Sequence, residues 1–145
     1  MKKYIYLLVF CGFCLSLSSC YKENNPNDGN FDIIGDIAQV SSMTAPAAAP
    51  ANSKIDLVIR LNFVNTNVKE FRFYQRIGTT GVYVATVTVP FTPNFVEAER
   101  VHVVTVPYTV PNEKGKTFSL QVEAVTDKNL VSSRRTTSPT NITIQ

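Results

Sequence analysis

Lys54-Ile55-Asp56-Leu57-Val58-Ile59-Arg60-Leu61-Asn62-Phe63 decides the architecture of this chain. Ile55, Leu57, Ile59, Leu61 and Phe63 alternate with Asp56, Val58, Arg60 and Asn62. Successive side chains on an extended strand point to opposite faces, so a period of two separates an apolar face from a mixed one. That pattern predicts a strand with one buried face, and it sets the register for what lies on either side.

Toward the C-terminus the pattern repeats. Asn65-Thr66-Asn67 is a turn, after which Phe71, Phe73, Gln75 and Ile77 alternate with Arg72, Tyr74 and Arg76. Gly78-Thr79-Thr80-Gly81 then closes a hairpin, its glycines free to adopt positive φ. Val82 to Val89 is rich in β-branched residues, which suit a pleated surface. Pro90-Phe91-Thr92-Pro93 breaks that strand, and residues 93–100 read as a loop. Arg100 to Val106 forms a further strand that Pro107 and Pro111 are expected to end. Beyond the turn Asn112-Glu113-Lys114-Gly115-Lys116, Phe118, Leu120, Val122 and Ala124 alternate with Ser119, Gln121 and Glu123, predicting a second half-buried strand. Asp127-Lys128-Asn129 turns the chain, and Ile142 and Ile144 supply a last strand.

Toward the N-terminus, a short strand is expected through Ile33-Ile34 or through Ile37-Ala38-Gln39-Val40. Between it and Lys54 lies Met43-Thr44-Ala45-Pro46-Ala47-Ala48-Ala49-Pro50, whose alanines suggest helix. Pro46 and Pro50 argue instead for extended chain, either a second linker or a bent edge strand. No segment shows helical periodicity. Roughly six or seven short strands separated by turn signals predict an all-β chain, a single antiparallel sandwich.

The chain has 145 residues, room for one domain and a tail. Its formal net charge is +3, and Lys2 and Lys3 supply two of those charges, so the side chains from residue 20 onward carry +3 − 2 = +1. A near-neutral domain lacks the basic face that nucleic acid requires, so no nucleic-acid partner is expected. Cys11, Cys14 and Cys20 are the three cysteines, and none falls in the strand-rich region, which excludes a disulfide or thiolate metal site there.

Those cysteines belong to the N-terminal segment. Met1-Lys2-Lys3 is followed by an apolar run from Tyr4 to Leu17 and then by Ser18-Ser19-Cys20. The run is shorter than the roughly 20 residues that span a bilayer, and the layout is that of an export signal. Cys11-Gly12-Phe13-Cys14 has the C-x-x-C spacing of redox sites but lies inside this apolar signal, so it is read as part of it. Leu17-Ser18-Ser19-Cys20 resembles a bacterial lipobox. The resemblance implies diacylglyceryl transfer to the Cys20 thiol and cleavage before it, giving a signal peptide over 1–19. One acyl chain binds membranes only marginally, whereas two or more anchor stably. Residues 20–30, including Asn24-Asn25-Pro26-Asn27-Asp28-Gly29-Asn30, read as a polar linker that holds the domain, 31–145, away from the membrane.

Two further resemblances narrow the expectation. Phe118-Ser119-Leu120-Gln121-Val122-Glu123-Ala124-Val125, with Asp127-Lys128-Asn129 and Ser132-Ser133 after it, resembles the penultimate strand and final turn of fibronectin type III domains. That family usually carries a tryptophan in its second strand and this chain has none, so the broader immunoglobulin-like sandwich of about seven strands is the expected fold. Lys22-Glu23 after Cys20 and the layout of the chain resemble small outer-membrane lipoproteins of Bacteroidetes. Some of these sit beside glycan-uptake machinery, which implies a surface location at the outer membrane and a glycan as ligand.

Residues able to do chemistry are few. His102, the single histidine, lies between Val101 and Val103 in a predicted strand with no evident nucleophile or orienting acid, and reads as a surface or edge-strand residue. Glu97 and Glu99 offer paired carboxylates, but they stand in an expected loop with no cleft. Asp127 and Asn129 are too few oxygens for calcium, which takes about six to eight ligands. Arg134-Arg135 reads as a solvated pair. No catalytic residue, metal or cofactor is therefore expected. With Phe71 and Phe73 inward, Tyr74 and Arg76 project from the opposite face, and Tyr83 lies across the hairpin from Tyr74 or its neighbours. These three are the candidate ligand-binding residues, and Cys20 is the lipidation site. The expected role is a non-enzymatic, lipid-anchored surface module that binds a glycan; the alternative is an accessory subunit docked on a larger envelope complex.

Overall fold

The structure, a computed structural model, describes residues 37–145. The signal segment over 1–19, Cys20, the linker over 20–30, the domain's expected start at residue 31 and the strand start at Ile33-Ile34 all lie outside the described residues. Ten strands follow in order: β1 (Ile37–Thr44), β2 (Ala48–Ala49), β3 (Lys54–Val64), β4 (Val68–Ile77), β5 (Val84–Pro90), β6 (Phe95–Val96), β7 (Val101–Thr109), β8 (Thr117–Thr126), β9 (Arg135–Thr136) and β10 (Ile142–Ile144). Three of them have only two residues, leaving seven longer strands, and there is no helix among the described residues.

The strands form two sheets. One has the order β1-β3-β7-β6; the other has the order β2-β10-β8-β4-β5, with β9 also paired to β8. All pairings are antiparallel except that of β2 with β10. An N-terminal strand that begins in one sheet and crosses to pair in parallel with the last strand of the other, around a Greek-key core, defines an immunoglobulin-like β-sandwich. The crossing is made by the alanine–proline stretch. β1 leaves β3 at Thr44, and Ala48 and Ala49 join β10. Pro46 falls between the two ladders, where its missing N–H breaks no pairing.

The core follows the period-two pattern. Leu57, Ile59 and Leu61 of β3 face Phe71 and Phe73 of β4, Phe118, Leu120 and Val122 of β8, and Ile142 and Ile144 of β10, all fully or almost fully buried. Each such side chain contributes about 1.5–3 kcal/mol on leaving water. The hairpin forms as expected: β4 pairs with β5, and Gly78 and Gly81 have φ of 76° and 104°.

Three expectations need correction. β7 does not end before Pro107 but runs through it to Thr109, pairing Pro107 with Asp56. The β6 pairing covers only Val101 and His102, so the far side of β7 at Pro107 is an open edge where a missing donor is tolerated. The loop over 93–100 contains a two-residue strand, Phe95–Val96, before its turn. β8 is not half-buried: Ser119, Glu123 and Val125 on its second face are also buried. The cause is a cover of side chains and chain over that face, and it forms the site described next.

Candidate functional site

Period two aligns Arg72, Tyr74 and Arg76 along the outward face of β4. Antiparallel pairing sets them opposite Glu123, Gln121 and Ser119 of β8. Beyond β8, the returning chain lays β9 alongside, with Thr136 opposite Gln121 and their side chains in contact at 3.3 Å. Two tyrosine-centred clusters result.

In the first, the Tyr74 hydroxyl donates to Glu123 Oε1 at 2.6 Å, while Arg134 Nε donates to Glu123 Oε2 at 3.0 Å. The Arg134 guanidinium carbon lies 3.7 Å from the Tyr74 ring centroid, a cation–π contact. Hydrogen bonding to Glu123 pushes the Tyr74 hydroxyl above its ordinary pKa, and the same carboxylate raises Arg134. The acid is buried and holds two donors, as a buried charge requires.

In the second, Tyr83, just before β5, folds over the face rather than pairing across from Tyr74, whose β5 partner is Ala85. Its hydroxyl lies 2.8 Å from the buried Ser119 Oγ, and Arg76 stacks on its ring with the guanidinium carbon 4.9 Å from the centroid. Arg76 Nε is shielded from solvent and has no hydrogen-bond partner. Tyr74, Arg76 and Tyr83 thus share one face, with one side of each ring under a guanidinium.

Sequence reasoning missed Glu123, Ser119 and Arg134 as members of this face. The alternation of β8 did place Ser119 and Glu123 outward. Nothing local announced that Arg134, exposed as expected, would also return over Tyr74 and pair with Glu123.

The remaining candidates stand elsewhere. His102 is half-buried, paired to the short end strand β6. It stacks on Phe63 at 4.5 Å between centroids, meets the edges of Phe91 and Phe95, and has a buried Nδ1 without a partner. Glu97 and Glu99 lie in the turn before β7. Glu99 pairs with Arg60 of β3 at 2.6 Å, and that hydrogen bond holds its carboxyl below the usual range. The Asp127 carboxylate is held by Thr66 Oγ1 at 2.8 Å and by Asn67. Among the described residues no three of His, Cys, Asp and Glu gather around a point that could hold a metal ion.

The immunoglobulin-like sandwich is the class that this topology defines. No family model matches the chain, and no curated protein does. Solved structures that resemble it include the superoxide reductase (neelaredoxin) from Ignicoccus hospitalis, at 13% identity and TM-score 0.48, covering 84% of this chain and 92% of that one. Another is the PKD domain of an M14-like peptidase from Thermoplasmatales archaeon SCGC AB-540-F20, at 17% identity and TM-score 0.42, covering 74% and 92%. A third is Astrotactin-2, described as a vertebrate-specific, perforin-like membrane protein, at 13% identity and TM-score 0.47, covering 76% of this chain and 22% of that one. The expectation of a non-enzymatic chain is corrected here, because an enzyme stands among these neighbours. Chemistry is grafted onto folds by local sites, so a small sandwich is no ground for excluding it. At these scores the likeness concerns the frame and assigns no activity.

Proposed function

We propose that this chain is a lipid-anchored module of the bacterial outer membrane, tethered through Cys20 and binding a glycan on the outer face of the β4–β8 sheet. The observation that carries the ligand half is the gathering of Tyr74, Arg76 and Tyr83 on one face, beside the side chains of Gln121 and Thr136. Saccharides are rich in hydroxyls, and a rigid sheet that fixes several donors and acceptors complements them without reordering. Since a guanidinium covers one side of each tyrosine ring, recognition relies on hydrogen bonds to ring edges and guanidinium groups more than on open stacking.

Affinity electrophoresis of the purified chain through gels containing a panel of neutral and charged polysaccharides tests the reading. Retardation by at least one polymer, weakened in a Tyr74→Ala, Tyr83→Ala double variant that remains cooperatively folded at the assay temperature, is the expected result. Unretarded migration through every gel would rule it out.

A second reading, an accessory subunit docked on an envelope complex, is favoured by the free edge of β5. That strand pairs only with β4, and its neighbourhood exposes Val82, Val84 and Val87 at 81%, 61% and 41%. Strand addition to such an edge is a common docking mode. Crosslinking in intact cells would trap a fixed protein partner at β5 on this reading, and only free chain otherwise.

A further inference from the structure

We infer that the glycan is acidic and that Arg76 anchors its carboxylate. The inference rests on the glycan reading and adds the ligand's charge and the residue that meets it.

Five charged side chains from β4, β8 and the segment before β9 lie on or beside this face: Glu70, Arg72, Arg76, Glu123 and Arg134. Both acids are committed. Glu70 accepts from Arg72 at 3.1 Å, and Glu123 accepts from Tyr74 and Arg134. Arg76 is the member of this set left without a carboxylate, and its Nε–H lies shielded from water with no acceptor. The side chain as a whole is only half-buried, so Nε itself stays covered and an incoming carboxylate would meet the terminal nitrogens of the guanidinium.

Arg76 is also held ready. Its stack on Tyr83 fixes the plane of the guanidinium, and Tyr83 is fixed in turn by its hydrogen bond to Ser119, directly across the ladder from Arg76. A planar guanidinium fork matches a carboxylate by two parallel hydrogen bonds, and an arginine already ordered loses little freedom on binding. The polar groups of Gln121 and Thr136 on the same sheet are suited to the hydroxyls of the sugar that carries the acid.

The test compares polygalacturonate with its fully methyl-esterified form, which keep one backbone and differ in the carboxylate. The full chain, in detergent, is run through gels containing either polymer or dextran. Polygalacturonate should retard the chain and the ester should not. Arg76→Gln should weaken retardation by about tenfold or more. Arg76→Lys, which keeps the charge but loses the fork and the stack, should be intermediate, and Lys54→Gln on the other sheet should leave it unchanged. Equal retardation by acid and ester, retardation by dextran alone, or an Arg76→Gln variant that binds as wild type with an unaltered melting curve would each overturn the inference while leaving the glycan reading in place. No retardation by any of the three polymers would overturn it as well, and with the same outcome across the wider panel both readings fall.

Discussion

Glu123 shows how a single side chain organises a surface. It is buried in the second face of β8, and its two oxygens are used by Tyr74 and Arg134. Arg134→Ala would leave a buried carboxylate with one donor fewer. A lower urea midpoint than wild type is the expected result, modest because Arg134 is itself partly exposed and solvent screens its pairing. The Tyr74 hydroxyl is held above its usual value near 10 chiefly by its bond to Glu123. A pKa raised in the folded state means that the folded chain keeps the proton longer, so this contribution is complete below the unfolded value and disappears as pH rises through the folded one. Glu123→Gln should therefore bring the ring titration of Tyr74, followed by NMR, down toward the ordinary range. Asp127 has the opposite sign. The Thr66 hydroxyl holds its carboxyl below the usual range, so stability is present above the unfolded value and is lost as pH falls through the folded one. Thr66→Val should flatten the acid limb of a stability-against-pH profile and leave the neutral plateau of that limb lower than in the wild type.

At the scale of the element, β5 and β8 are instructive opposites. β5 reads as a core strand by composition, since Val84, Thr86, Val87, Thr88 and Val89 are all β-branched, yet most of it is exposed at the end of its sheet. Composition reports preference for a pleated backbone, and only the sheet order decides whether a strand has neighbours on both sides. An uncharged edge of this kind templates self-pairing. Val84→Lys should reduce aggregation on heating, measured by light scattering, while shifting stability by no more than about 0.5 kcal/mol. β8 errs in the other direction. Its clean alternation promised one wet face, but Tyr83, Arg134 and the returning chain cover that face, so Ser119 and Glu123 are buried beside the apolar set. By contrast β3, the part of β4 from Phe71 to Ile77 and the Gly78–Gly81 hairpin were legible, because their apolar period and turn glycines are local signals that the fold leaves undisturbed.

For the molecule as a whole, the proposed tether makes its own prediction. Fatty-acid labelling of cells should mark the wild-type chain and fail to mark Cys20→Ala, and an unlabelled wild type would remove the membrane from the account. Alternating apolar residues, turn glycines and asparagines, and paired prolines were enough to establish an all-β sandwich and the place of most of its longer strands, because backbone pleating and left-handed turns are properties of neighbouring residues. Which strand lies at an edge, why Pro107 is tolerated, and how Arg134 reaches Tyr74 emerged only once distant segments were packed. Such contacts join positions 60 residues apart in the chain, as Tyr74 is from Arg134, and no local pattern encodes a meeting that the two sheets must first bring about.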